Sequence, residues 1–449
     1  MKTNIRVVLS IALSRFMAFF ILLIISGCTL EDRIPPSQRP IIETNTVLIS
    51  QSTVTCTPSS LPNTPTAPEL SDETPILTTN TPVSDDNHQL LGKNMVAIKE
   101  WDSTNIHLVD LDTGYMRKLL LPTEYHPIRV LAWSNNGCEL ALVTTGQNGV
   151  NNTILQVDLQ GNITQYLLSS ESISHNIRNF VLSPSQEWIA YRFSEGEYVG
   201  GFDPIYEFEN IEVISVGGAV GPYRLTQGNG GREVAWAPDS MRLAYGDFDE
   251  NGIPQLYISN LDGTQRVQRT HFDDPLVEIR HIQWSPQGDR IAFAYTRLGN
   301  ISSTEPRKTD VMVVSAETGE FPKTVDRIYL AYSLWWQGDD TIVVWGYERE
   351  YGAYNMQNEH LFWVDADTCQ VVAVLEGDTT PEGYMINPQP FGISPTIGYV
   401  TDHSFYSYDY FNHSFTRWDN ILIGVNGRVV VEDWNPAPGS FQGEAACQP

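Results

Sequence analysis

One segment recurs along most of this chain, and that recurrence limits the fold more than any other feature. Its clearest copies read VAWAPDSMRLAYGDFDENGIPQLYISNLDG from Val234 and IQWSPQGDRIAFAY from Ile282, the latter continuing into TDVMVVSAETG. Others are LAWSNNGCELALVTTG from Leu131, FVLSPSQEWIAYRFS from Phe180 and the degenerate LWWQGDDTIVVWGYE from Leu334. A first unit, NMVAIKE then NIHLVDLDTG, shows the middle of the pattern. A last, FGISPTIGYVTD then SFYSYDYFNHSF, is the most divergent. With Ser134, Ser183, Ala237, Ser285, Trp336 and Ser394 as equivalent points, the units recur roughly every 50 residues. Such a period belongs to arrays whose units bury their faces only against one another, propeller blades among them.

Each copy makes sense as four strands. A short apolar strand ends at Trp, and a Ser-Pro-x-Gly type turn reverses it, with Pro presetting φ and Gly, Asn or Asp tolerating positive φ. A second strand such as RIAFAY follows, then a third such as QLYISNLDG that ends in an Asp-Gly turn, a strong hairpin signal. A polar fourth strand completes the unit. An aromatic content of 11% suits β-structure, where flat rings pack on pleated surfaces. The expected fold is all-β: a β-propeller of six or seven four-stranded blades, preceded by a signal peptide and a disordered linker.

These residues resemble the WD40-like repeat of TolB-type β-propellers. Trp236-Ala237-Pro238-Asp239-Ser240 with Leu243-Ala244-Tyr245 and Leu256-Tyr257-Ile258 carries the likeness, as does Trp284-Ser285-Pro286-Gln287-Gly288 with Ile291-Ala292-Phe293. It spans residues 91 to about 430, strongest in the middle, and it specifies a fold rather than an activity. Seven units are countable. The resemblance implies six blades, in which case the first and last units together close one.

The N-terminus has a different character. Lys2, Arg6 and Arg15 precede an unbroken apolar run from Phe16 to Ile25, then Ser26, Gly27 and Cys28. This is the layout of a secretory signal peptide. Ile25-Ser26-Gly27-Cys28 also resembles the bacterial lipobox, which implies lipid on the Cys28 sulfur and cleavage before it. An uncleaved helix from Val7 to Ile25 is the alternative, and it would place Arg15 near mid-bilayer at high cost. The residue after Cys28 is Thr29, not the Asp that holds some lipoproteins at the inner membrane. From Thr29 to about Asn87, Thr, Pro, Ser and Asn dominate and apolar periodicity is lost, as in extended spacers or low-complexity tails. The expected domains are therefore a signal peptide (1–27), a lipidated Cys28 with a Thr/Pro-rich linker (28–90), a propeller (91–435) and a C-terminal tail (436–449).

Loss of the three N-terminal cations would take the formal charge from −27 to −30. So acidic a chain repels nucleic acid, which excludes that partner class. The five cysteines show no CxxC spacing, so neither a zinc knuckle nor a redox motif is expected. An exported compartment permits disulfides among the four besides Cys28, and sequence alone does not pair them.

Candidate function sits on one face of the disc. The connections between second and third strands are long at 194–210, 296–310 and 347–360, and long loops on a rigid scaffold often bind. They carry Tyr198, Phe202, Tyr206, Phe208, Tyr347, Tyr351 and Tyr354. Tyr offers broad contact area with a polar tip, although the same rings would also serve to pack loops on neighbouring blades. Asp247-Phe248-Asp249-Glu250-Asn251-Gly252 begins like a calcium loop, but Ile258 stands where an EF-hand needs its bidentate Glu. A hairpin is therefore the better reading. His271 and His281 flank one inter-blade connection, and neither is assigned a metal. HExxH, GxSxG and P-loop patterns are absent, and no cofactor is expected. The favoured function is a membrane-anchored extracytoplasmic module binding a protein or cell-envelope component. A propeller enzyme acting on polysaccharide and an envelope assembly component resembling TolB are the alternatives.

Overall fold

The computed structural model describes residues 76–80 and, with breaks, 95–434; the breaks include 195–208, 298–307, 349–358 and 419–428. Every described residue lies in the unit spanning 65–449. The proposed signal peptide, Cys28 and the residues after 434 fall outside the described residues.

Seven sheets form seven blades. The second contains His126–Trp133, Glu139–Thr145, Asn152–Asp158 and Ile163–Leu168 in that order. The third to sixth repeat this arrangement from Asn176, Val234, Val277 and Ile328 respectively, each a run of antiparallel neighbours. First strands of successive blades touch, which places them around the axis. Among the described residues, helix is confined to 3-10 turns such as Val216–Gly218.

The count of seven corrects the six-blade alternative, and it does so through closure. The first unit supplies only three strands: Met95–Glu100, Ile106–Asp110 and Met116–Leu119. Its innermost position is taken by Val429–Trp434 from the far end of the chain, with Val96 opposite Trp434. The last repeat therefore keeps a blade of its own, Ile386–Pro390 through Ser414–Trp418. That blade gains a fifth, parallel strand, Ile76–Asn80, from inside the stretch read as linker.

The repeat signature works as an inter-blade fastening. The Trp236, Trp284 and Trp336 indoles donate to the backbone carbonyls of Val181, Ala235 and Gln283 in the preceding blade, at 3.1, 3.1 and 3.2 Å. The Arg242 and Arg290 guanidiniums from that preceding blade lie 5.0 Å and 5.3 Å from the ring centres of Trp284 and Trp336, within cation–π range. Trp336 thus occupies the tryptophan position, one residue off the serine equivalence taken from sequence, because the sixth blade has a shorter turn, with Gln337 opposite Thr341. In the longer turns the Ser134, Ser183 and Ser285 hydroxyls accept from the amides of Glu139, Trp188 and Arg290. One left-handed residue recurs in each: Gly137, Gln186, Ser240 and Gly288, with φ between 60° and 73°. Glycine adopts that conformation freely, and Gln186 and Ser240 hold it against their Cβ.

The core lies between blades rather than at one centre. Along Arg290–Arg297, Ile291, Phe293 and Tyr295 pack toward the fourth blade, while Ala292 and Ala294 pack toward the sixth. Similar apolar clusters join the first blade to the second, and so on to the sixth and seventh. A strand buried on both faces loses the simple alternation of a half-buried one, which explains runs such as IAFAY and IVVW.

Candidate functional site

The two faces of the disc differ. Turns after first and third strands are short and closed internally, as in Asp158, whose carboxylate accepts from the amides of Gln160 and Asn162. Second-to-third connections leave from the opposite face. Their stems are longer than sequence indicated, with Arg297 opposite Lys308 and Tyr347 opposite Glu359. Residues read as loop are thus partly hairpin.

Every innermost strand except Val234–Trp236 carries a register shift along its length. A bulge bends its strand and redirects the extra residue, and bulges collect at barrel rims and active sites. The fifth-blade bulge is the best defined. His281 sits there at φ 54°, a conformation that costs a non-glycine residue free energy unless its surroundings impose it. They do: the Glu233 carboxylate, entering from the fourth blade, accepts from the amides of both His281 and Ile282. Burial lowers the His281 pKa; the Glu233 charge opposes this and the Arg280 charge adds to it. Arg280 also pairs with the buried Glu278 at 2.6 Å. The histidine read from sequence as flanking a connection instead lies within the inner strand, its backbone held by Glu233.

A second group lies in the sixth blade. Glu359 heads a third strand and is 8% exposed. Tyr347 donates its hydroxyl to the Glu359 carboxylate at 3.4 Å. The Tyr332 ring packs on both Trp345 and Tyr347, with centroids 5.0 and 5.4 Å away. Burial pushes the Glu359 pKa up to about 7, and hydrogen bonds from Trp345 and Tyr347 only partly offset this. A buried carboxyl that titrates near neutrality is the kind of group found in functional sites, as proton donor or acceptor. Sequence reasoning assigned His281 no role and passed over Glu359. The one visible signal is a Glu-His pair opening an otherwise apolar strand, EHLFWVD.

Of the aromatic residues singled out from sequence, Tyr347 is 5% exposed, held by Tyr332 and Glu359. Tyr198, Phe202, Tyr206, Phe208, Tyr351 and Tyr354 lie outside the described residues. The Asp247–Gly252 segment closes a hairpin: Asp249 accepts from the amides of Asn251 and Ile253, and Gly252 has φ 74°. The Asp247 carboxylate is taken by Arg266 at 2.9 Å. Cys138 is disulfide-bonded, whereas Cys369 is a buried thiol directed at the Ala366 carbonyl. Among the described residues, no group of His, Cys, Asp and Glu is placed to hold a metal ion, and no helix is long and apolar enough to cross a membrane.

A stretch of 65 residues is similar to a TolB protein. The relative is the Tol-Pal system protein TolB of Alcanivorax borkumensis, 35% identical over that stretch, which is 14% of this chain and 14% of the relative. The chain therefore matches only a small part of that protein's length. No protein-family model matches the chain. Among solved structures, similarity extends to an oligogalacturonate lyase from Vibrio parahaemolyticus, 12% identical with a TM-score of 0.47, covering 72% of this chain and 90% of that one. TolB from Acinetobacter baumannii is 15% identical with a TM-score of 0.41, covering 76% and 82%.

Proposed function

We propose that this chain is a lipid-anchored, extracytoplasmic propeller that binds a protein or cell-envelope component on its loop-bearing face. The asymmetry of the disc carries this reading. One face is trimmed to short, internally bonded turns, while the long second-to-third connections of the third, fifth and sixth blades leave from the other. Loops on a rigid frame present a binding surface at little ordering cost. Tyr198, Phe202, Tyr206, Tyr351 and Tyr354 supply the contacts, and Tyr347, held on Glu359, buttresses the sixth-blade loop. Cys28 supplies the anchor and the Thr/Pro stretch the spacer, with diacylation or a second chain needed for stable attachment.

Two variants test the reading separately. Cys28→Ser moves the protein from the membrane fraction to the soluble extracytoplasmic fraction; retention in the membrane refutes the anchor. Tyr198→Ser with Tyr206→Ser and Tyr351→Ser abolishes recovery of the envelope partner that co-purifies with the detergent-solubilised wild type. Unchanged recovery from a folded triple variant refutes the binding face.

Glu359 favours a second reading, a glycan-cleaving enzyme with that carboxyl as its proton donor or acceptor. Chain-length analysis of cell-envelope polysaccharides incubated with wild type and Glu359→Gln decides it: cleavage by the first and not the second supports this reading, and no cleavage by either removes it.

A further inference from the structure

An open strand edge presents a row of free N–H and C=O groups that pair readily with another chain, and proteins blunt such edges by making them short, charged or irregular. Six blades follow that rule. The outer strands of the third, fourth and fifth, Tyr223–Arg224, Val267–Gln268 and Lys323–Val325, are two, two and three residues long. That of the first, Met116–Leu119, has four and carries Arg117 and Lys118. Those of the second and sixth, Ile163–Leu168 and Gln370–Glu376, are longer but break register against their neighbours. The fourth strand of the seventh blade, Ser414–Trp418, is different. It pairs residue for residue with Phe405–Asp409 and has no register shift, so its other side is a regular ladder. Ile76–Asn80 occupies that side, from Ile76 opposite Ser414 to Asn80 opposite Trp418.

Three features mark this fifth strand as an occupant of the blade rather than a part of it. It runs parallel, whereas the blade's own neighbours are antiparallel. It comes from the opposite end of the ring-forming sequence, so no turn fixes it to Ser414–Trp418. Pro75 and Pro82 bracket it in sequence, and proline, lacking an N–H, cannot extend a ladder. The pairing is therefore confined to a short stretch, and parallel pairing is the weaker kind per residue.

We propose that the outer edge of the seventh blade is a strand-acceptor site held closed by Ile76–Asn80. An extended, uncharged peptide segment of another protein pairs there in the same parallel register once that strand leaves. Main-chain hydrogen bonds supply the attachment in this mode of recognition. The seated strand, Ile-Leu-Thr-Thr-Asn, carries no charge, and it shows the kind of sequence the edge takes. A second copy offers the same strand and gains no bond by exchanging it. The site lies on the rim of the disc and does not depend on the loop-bearing face, so either can fail alone.

The test uses the full chain with Leu77→Pro and Thr78→Pro. Successive N–H groups of a strand point to opposite sides, so one of two adjacent prolines removes a ladder donor whichever way the strand faces. The probe is a fluorescein-labelled synthetic peptide with the sequence of residues 72–84, DETPILTTNTPVS. Fluorescence anisotropy should show saturable binding to the folded double variant. Binding to wild type should be about tenfold or more weaker, because a tethered segment competes at an effective concentration on the order of millimolar. A peptide with the same two proline changes should not bind. Equal binding to both proteins, or none to the variant, overturns the proposal. So does self-association of the variant that excludes the peptide, which would make a second copy the occupant.

A second measurement does not need the prolines. With Ser414→Cys in the otherwise wild-type chain, millimolar peptide carrying Ile76→Cys should displace the strand and form a disulfide, since those two positions are opposite. Cross-linking to an Asn80→Cys peptide instead would mean antiparallel pairing, and no cross-link to either would mean that the strand does not exchange. Either result overturns the proposal.

Discussion

Glu359 offers a sharp test of the site, because its burial predicts a dependence on pH with a definite sign. In the unfolded chain its pKa is near 4.5, and in the fold it rises to about 7. Between those values the native state binds more protons than the unfolded state, so stability falls as pH rises. The stabilising contribution is fully present below the unfolded pKa and is lost as pH passes through the folded one. The rise from 4.5 to about 7, at about 1.4 kcal/mol per pH unit, amounts to about 3 kcal/mol. Glu359→Gln keeps an acceptor for the Tyr347 hydroxyl and removes the charge. Urea unfolding followed by tryptophan fluorescence, at about pH 5 and about pH 8, gives the double difference in which all other titrating groups cancel. The Gln variant should gain about 2.5 kcal/mol on wild type at the higher pH relative to the lower, slightly less than the full rise because the unfolded carboxyl is already mostly ionised at about pH 5. Parallel pH profiles for the two proteins would show that the carboxyl is hydrated, and would remove both the raised pKa and the catalytic reading built on it.

Two further outcomes come from packing. Gly346 lies under the bulge of its neighbouring strand, and a Cβ there would collide with the Leu330 carbonyl. Gly346→Ala should cost about 1–3 kcal/mol in urea unfolding, and a neutral result would mean that the bulge yields freely. Trp284→Phe leaves the buried Ala235 carbonyl without its indole donor and should cost about 2 kcal/mol. The same change at Trp336, whose hydrogen bond is solvent-exposed, should cost less than about 1 kcal/mol, and equal losses would refute the inter-blade fastening as the source.

Much of the fold was legible because the repeat is a local code. Trp at the end of the first strand, the Ser hydroxyl that closes the turn and the left-handed residue three positions later all act within one unit or on its neighbour. Their spacing survives in sequence even where Gln186 or Ser240 replaces glycine. The hairpin at Asp249 was readable for the same reason, since its hydrogen bonds span only a few residues. Bulges on the inner strands were not readable. Whether an extra residue inserts opposite Phe293 depends on Glu233, far earlier in the chain, reaching the His281 amide.

An all-β ring of repeated four-stranded units and its turns could be read from the sequence alone, because those local patterns recur at a near-constant separation along the chain, whereas the inter-blade bonds of the tryptophans emerged with the fold. The number of blades, seven, and the completion of the first by Val429–Trp434 emerged only on folding. Only the fold revealed that Ile76–Asn80 extends the last blade, and that Glu359 and His281 lie where burial governs their protonation. Closure joins residues from opposite ends of the ring-forming sequence, and no periodic signal records which strand takes the vacant place beside Met95–Glu100. Burial likewise belongs to the assembled ring: a Glu at the head of a strand is an ordinary surface residue until neighbouring strands and rings remove its water.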